Sequence, residues 1–224
     1  MPVDKHINFF ELAKAAEKPG CPLCRIINDR AERYIDNMLF EHVADRGFRA
    51  IHREAGGFCA FHSKGLSAFR DGLAVAILGR DILEDRISAF EKNKAWNPKG
   101  RCPVCLEKER IEEEYLSFLV SSGGESPEEK ELREVFTASD GLCAPHYGRL
   151  LEGSPRKFGR GGNRSITPIW LKQFHENKFR SLLERTSRFI ELSAYGRQEE
   201  FAKLSEEDQL VWKELALSLR GGGE

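Results

Sequence analysis

All six cysteines of this 224-residue chain fall into two kinds of short motif. Cys21-Pro22-Leu23-Cys24 and Cys102-Pro103-Val104-Cys105 are CPxC pairs. Cys59-Ala60-Phe61-His62 and Cys143-Ala144-Pro145-His146 are CxxH pairs. Residues i and i+3 share one side of a helical turn, so each pair presents two metal-binding atoms together. Two such pairs facing each other supply three thiolates and an imidazole in a tetrahedron, the arrangement of closed structural zinc sites. Taken in chain order, the ligand sets are Cys21/Cys24/Cys59/His62 and Cys102/Cys105/Cys143/His146. The spacer of about 35 residues within each set is long for a small finger and suits a helical hairpin that leaves the metal and returns. Two zinc ions are therefore expected, with iron or an iron–sulfur cluster as the chemical alternative.

Position supports the ligand reading. Pro22 and Pro103 suit the first helical position, which puts the cysteines at helix N-termini. Unpaired N–H groups and the positive end of the helix dipole stabilise thiolates there. Other uses of the motifs fit less well. A glutaredoxin-type redox pair needs a preceding strand, whereas Leu12 to Gly20 is a polar, helix-like lead-in. A c-type haem needs His directly after the second cysteine, where Arg25 and Leu106 stand.

The motifs belong to an internal duplication. With CPxC laid on CPxC, Tyr34 falls on Tyr115, Ile35 on Leu116 and Met38 on Leu119 without a gap. A three-residue insertion near Ser122 to Ser126 then brings Phe48 onto Leu132, Ile51 onto Val135, Gly57-Phe58-Cys59-Ala60-Phe61-His62 onto Gly141-Leu142-Cys143-Ala144-Pro145-His146, and Leu66 onto Leu150.

The elements that must position these ligands read as helices. Ile27, Ala31, Tyr34, Ile35 and Met38 follow the 3-4 spacing of a buried helical face, as do Leu106, Ile111, Tyr115, Phe118 and Leu119 more loosely. A second helix carries Phe48 and Ile51 in one copy and Leu132, Val135 and Phe136 in the other. Ser126-Pro127-Glu128-Glu129 is a helix start, while Gly56-Gly57 and Asp140-Gly141 are stops. The CxxH segments open a third helix. A long fourth helix has Leu73, Ile77, Leu83, Ile87 and Phe90 in the first copy, and Phe179, Leu182, Leu183, Thr186, Phe189 and Ile190 as its buried side in the second. A terminal helix spans roughly Glu206 to Leu219. No sustained strand alternation occurs. The expected fold is all-α, with two quasi-repeated helical units each braced by a Cys3His site. Residues 1–97 form the first unit and 98–224 the second, which adds a Gly/Arg-rich insertion at 153–167 and C-terminal helices.

Net charge is −1 and charged residues make up 32% of the chain, so no global charge draws it to nucleic acid or membrane. No signal-peptide core and no stretch of roughly 20 apolar residues is present. A cytoplasmic location is expected, where cysteines serve as ligands more often than as disulfides. Charge is uneven locally. Residues 153–188 carry nine basic and two acidic side chains, against six and twelve in 101–152. Arg156, Lys157, Arg160 and Arg164, with Phe158, Trp170 and Phe174 interleaved, are candidate contacts for an anion or single-stranded nucleic acid. A solvated face balancing the acidic helices explains the same pattern. His6, His42, His52 and His175 show no ligand spacing. His52 reads as a solvated helix histidine, with a hydrogen bond to a ligand sulfur as the sharper option. Asp81, Glu84 and Asp85 have the spacing of a water-facing helix surface.

The doubled CPxC and GFCxxH-like pattern resembles an uncharacterised bacterial family, a domain of unknown function of about this length. The resemblance implies a cytosolic, all-helical protein whose ligands are Cys21, Cys24, Cys59, His62, Cys102, Cys105, Cys143 and His146. Leu142 replaces the usual Phe, and the Gly/Arg-rich insertion is a second departure. The family implies no activity. No HExxH, nucleophile elbow or phosphate-cradling glycine loop appears, and no catalytic residue is assigned. The expected function is a non-enzymatic zinc-binding scaffold, an adaptor or regulator that binds a protein partner or nucleic acid and no membrane. The alternatives are thiol-redox or metal-sensing chemistry at the CPxC cysteines, and RNA or DNA binding through residues 153–188.

Overall fold

The computed structural model describes residues 7–69, 71–152 and 167–221. Arg156, Lys157, Arg160 and Arg164 lie outside them. All regular structure among the described residues is helical, as the 3.6-residue periodicity predicts. In chain order the helices are α1 (Ile7–Ala16), α2 (Pro22–Asn37), α3 (Arg46–Glu54), α4 (Ala60–Gly65), α5 (Gly72–Glu91), α6 (Pro103–Ser121), α7 (Pro127–Thr137), α8 (Ala144–Glu152), α9 (Ile169–Leu192), α10 (Gln198–Phe201), α11 (Glu206–Gln209) and α12 (Val211–Arg220). A π-helical turn, Met38–His42, continues α2. Leu210 interrupts what the sequence reads as one terminal helix; it ends α11 with a non-helical φ of −104° and precedes α12.

Local signals set the helix ends. Asp45 accepts from Phe48 N–H at 2.7 Å and Asp71 from Ala74 N–H at 2.9 Å, capping α3 and α5. At the helix start read from the sequence, Ser126 and Glu129 form a reciprocal capping box. The stops at Gly56-Gly57 and Gly141 are left-handed turns, with φ of +72°, +93° and +66°. Glycine is required at Gly141, because a Cβ there would stand 2.7 Å from the Phe174 ring.

The chain divides into two compact units, one of Met1–Ile26 with Glu113–Glu224 and one of Ile27–Glu112. The division falls inside α2 and α6 and does not follow the repeat boundary near residue 97. Each unit holds the CPxC of one repeat and the CxxH of the other. In the Ile27–Glu112 unit, Ala31, Ile35, Met38 and Leu39 pack with Ala74 and Leu78 of α5, and with Cys102 and Val104 at the start of α6. In the other unit, Leu12, Leu23, Tyr115, Leu119, Leu132, Phe136 and Leu171 are buried. There α1 packs on α7, and α12 packs on α8 and α9.

On α5 the residues Leu73, Leu83, Ile87 and Phe90 that mark the helix in the sequence are exposed, and the buried face is Ala74, Leu78, Asp81 and Ile82. On α9 the expected buried side is corrected, since Leu183 and Ile190 are exposed while Leu182 is buried. The spacing alone fits more than one stripe on an apolar-rich helix, and packing selects between them. Asp81 and Asp85 do not simply face water. Asp81 is buried and accepts two hydrogen bonds from Arg49 of α3, at 2.7 and 2.6 Å. Asp85 pairs in the same way with Arg53. The Arg49 hydrogen bonds hold the Asp81 carboxyl below its usual pKa, against the opposing effect of burial.

This pair sets an expected stability change. Asp81→Ala leaves the partly exposed Arg49 guanidinium without its acceptor and should cost about 1.5–3 kcal/mol, the range for hydrogen bonds to a charged group. Because the folded pKa is depressed, the Asp81 contribution is complete above the unfolded value of about 3.9 and is lost as pH falls through the folded value. Urea unfolding at pH 7 and pH 3 checks both points. A variant as stable as the parent at pH 7 would show the pair to be energetically silent.

Candidate metal centres

Each of the four motifs opens a helix. Cys21 and Cys102 precede α2 and α6, and their carbonyls accept from Arg25 and Leu106 N–H. Cys59 is the N-cap of α4, and Cys143 stands in the same place before α8, with Tyr147 N–H donating to its carbonyl at 2.9 Å. The second ligand of each motif therefore lies in the first turn, three residues on. Every half-site sits at a positive dipole end, where the net negative charge of a Cys3His zinc site is stabilised.

The half-sites assemble crosswise. Cys21, Cys24, Cys143 and His146 form the first centre, and Cys59, His62, Cys102 and Cys105 the second. All eight residues that the sequence offers as ligands fall into these two groups, but they are paired crosswise and not by repeat. Packing supplies the reason. The Cys102 to Val104 segment packs with Ala31, Ile35, Met38, Ala74 and Leu78 inside the Ile27–Glu112 unit, which also contains Cys59 and His62.

The geometry fits one ion per centre. In each, the four ligand atoms lie within 4.8 Å of one another. His146 Nδ1 lies 3.4, 3.4 and 3.2 Å from the sulfurs of Cys21, Cys24 and Cys143, and the Cys24 and Cys143 sulfurs are 3.7 Å apart. His62 Nδ1 lies 3.2, 3.5 and 3.5 Å from Cys59, Cys102 and Cys105, with Cys59 and Cys105 3.7 Å apart. An ion about 2.3 Å from each sulfur and about 2.0–2.1 Å from the imidazole, in a tetrahedron, requires sulfur pairs about 3.8 Å apart and sulfur–nitrogen pairs about 3.5 Å apart. A multi-iron cluster instead spreads its cysteines over separate irons and needs a wider ligand set. None of the cysteines is in a disulfide.

Electrostatics favours a cation at both centres. Burial pushes the Cys105 thiol up to about 12, aided by the neighbouring Cys102 and Cys59. Hydrogen bonding to Cys143 and Cys21 raises Cys24 as well. Burial and then Lys108 hold His62 below its usual pKa, so it is neutral with a lone pair to give. Burial opposes a proton on His146, yet the Cys143 and Cys21 sulfurs outweigh it and carry the ring up to about 10. A bound cation would take the place of these shared protons.

Residues 5–99 match a family described as Family of unknown function (DUF6062). An "Uncharacterized 23.9 kDa protein in xynA 3'region" from Caldicellulosiruptor sp. (strain Rt8B.4) is 27% identical over 137 residues, 59% of this chain and 66% of that protein. Both matches support an uncharacterised domain family. No solved structure matches the chain. The span matched by the family contains one half of each centre and ends before Cys102.

Several supporting residues escaped the sequence reading. Asp140, taken as part of a helix stop, accepts from Gly20 N–H at 2.6 Å and from Lys178 at 2.9 Å, so it joins the approaches to Cys21 and Cys143. In the second centre backbone alone makes the equivalent link. Lys99 and Gly100 N–H donate to Glu54 C=O at 3.0 and 2.8 Å. His175, assigned no role, is buried on α9. Its Nε2 accepts from Leu142 N–H at 2.9 Å, and Nδ1 donates to Leu171 C=O at 2.8 Å, which specifies the neutral tautomer. Gly221 closes over the first centre. It adopts a φ of +77°, and a Cβ there would stand 2.8 Å from Cys24 Sγ and 3.1 Å from Cys143 Sγ. His52 corrects the solvated reading. It is buried between Phe48 and Phe58, and neither ring nitrogen has a hydrogen-bond partner among the described residues. His42 is exposed, and His6 lies outside the described residues.

His175→Ala removes the acceptor that holds the amide beside Cys143. Losing an orienting contact of this kind typically costs about 10–100-fold in metal affinity. Chelator competition on the zinc-loaded variant should find one ion of two weakened by that factor. Parent-like retention of both ions would exclude a positioning role for His175.

Proposed function

We propose that the protein is a non-enzymatic helical scaffold that binds two structural zinc ions, one in each crosswise centre. The observation that carries this reading is the pair of complete tetrahedra, each with three sulfurs and one imidazole nitrogen at the edge lengths zinc requires. A catalytic zinc keeps a position open for water or substrate, whereas four protein ligands fill the shell here. Thiol-redox chemistry is less well supported, because each CPxC couple also faces a third cysteine and a histidine. Zinc is preferred to iron for its match to a closed, mixed sulfur–nitrogen site. A reducing compartment suits such thiolates. Among the described residues no helix is long and apolar enough to cross a membrane.

Nucleic-acid binding by residues 153–188 has weaker support. Lys178 is held by Asp140 and the Ser139 carbonyl. Arg185 is taken up by Asp208 and Glu214 at 2.7 and 2.6 Å. Those two cations hold the fold together and are not available as phosphate contacts. A protein partner is the more economical expectation for a scaffold with several exposed apolar side chains.

Elemental analysis of freshly purified, reduced protein should find two zinc ions per chain, and fewer than two would overturn the reading. Grouped substitutions test the crosswise assignment. Replacing Cys21, Cys24, Cys143 and His146 together should leave one zinc, because the second centre stays whole. Replacing Cys21, Cys24, Cys102 and Cys105 should remove both. A within-repeat arrangement predicts no zinc in the first variant. Structural zinc contributes on the order of 10 kcal/mol to small domains, so Cys24→Ser or Cys105→Ser should also lower the melting temperature sharply. Normal melting with full metal content would show that cysteine not to be a ligand.

A further inference from the structure

The outer face of α5 has a pattern that the fold itself does not use. Leu73, Ala76, Arg80, Leu83, Ile87 and Phe90 are all exposed and follow one another at steps of three and four residues. This is the spacing of a helix-pairing seam, opposite the face that packs on the core. The four large apolar members are 74%, 59%, 54% and 62% exposed, at Leu73, Leu83, Ile87 and Phe90 respectively. Along the helix the seam runs about 26 Å.

Gly79 is a second, independent observation. It lies in the helix interior beside the seam, next to Arg80 and three residues from Ala76. Glycine is the poorest helix former after proline, so it needs a reason there. Nothing among the described residues provides one, because a Cβ at Gly79 would meet none of their atoms within 4 Å. A helix approaching from outside at close range would provide it. The long helix of the other repeat shows the contrast. α9 is packed by α10, α11 and α12, with Phe189 against Phe201 at 5.6 Å. The first repeat has no such extension over α5.

We propose that α5 pairs antiparallel with α5 of a second copy of this chain. The seam is self-complementary about a two-fold axis between Arg80 and Leu83. Leu73 then meets Phe90 of the other copy, Ala76 meets Ile87, and the aliphatic stem of Arg80 lies along Leu83, so the apolar ends of the two seams cover each other. Arg80 also comes level with Glu84 of the second helix. Within one chain these two already form an exposed ion pair at 3.6 Å, and both can share across the seam. A parallel pairing would instead set Arg80 against Arg80 and repel, which selects the antiparallel arrangement. The contact is isologous and closes on two copies.

Sedimentation velocity of the zinc-loaded full chain tests the pairing. The expected result is a concentration-dependent mass that reaches two chains. Leu83→Glu and Ile87→Glu, both on exposed positions, should each keep the parent zinc content and helicity and sediment as one chain. Gly79→Gln is a second kind of variant. It favours the helix but blocks close approach, and should weaken dimerisation at least tenfold. Arg80→Glu should weaken it similarly, and Arg80→Glu combined with Glu84→Arg should restore it. A single-chain mass up to several hundred micromolar overturns the proposal. So does a dimer that survives Leu83→Glu or Gly79→Gln, since another face would then hold it. Zinc content is measured on the same samples, so failure here is separable from failure of the zinc reading.

Discussion

The constraint on which this structure depends is that a turn of helix supplies only half of a tetrahedral site. A CPxC or CxxH pair places two donors on one side of a helix start, and the other two must come from elsewhere in the chain. The CPxC of each repeat lies in the compact unit that holds the CxxH of the other repeat. The half-sites are therefore exchanged. Ligands of the first centre are separated by up to 125 residues, and those of the second by up to 46. Long loops close at an entropic cost that grows only slowly with length, and coordination of a metal ion would be strong enough to offset it.

The two centres solve the same positioning problem with different chemistry. In the second, main-chain N–H groups of Lys99 and Gly100 bind the Glu54 carbonyl and hold the approach to Cys102 beside the approach to Cys59. In the first, the Asp140 carboxylate takes over, bonded to Gly20 N–H and Lys178. His175 then fixes the amide beside Cys143, and Gly221 lies over two of the sulfurs. A carboxylate so near a thiolate-rich site adds negative charge, which the Lys178 ammonium compensates. The side-chain version is more elaborate, and the second repeat has α9 and the C-terminal helices to provide its parts.

Charge in this chain serves mostly internal ends. The acid cluster on α5 is consumed by Arg49 and Arg53 of α3. In the other unit, Arg185 of α9 binds Asp208 and Glu214 and ties α9 to α11 and α12. The local excess of basic residues in the sequence is thus partly a device for attaching helices. Apolar surface behaves in the opposite way. Leu73, Leu83, Ile87 and Phe90 have the spacing of a core face yet lie outside the chain's own core, because the other side of α5 already carries Ala74, Leu78 and Ile82 into it.

Features governed by local chemistry were legible in the sequence. The eight ligands follow from donor type and i,i+3 spacing. The helical class follows from periodicity, and the start of α7 with Ser126 as its cap from a four-residue signal. The left-handed glycines follow from the helix stops. What the sequence left open was which local pieces meet. Either pairing of the half-sites satisfies the same donor count and the same short-range spacing, so the ligands do not specify their own grouping. The choice is made by the core into which Cys102 and Val104 pack, alongside Ala31, Ile35 and Met38. The roles of His175, Asp140 and Gly221 depend on contacts between residues 33 to 197 positions apart, and no local pattern encodes such contacts.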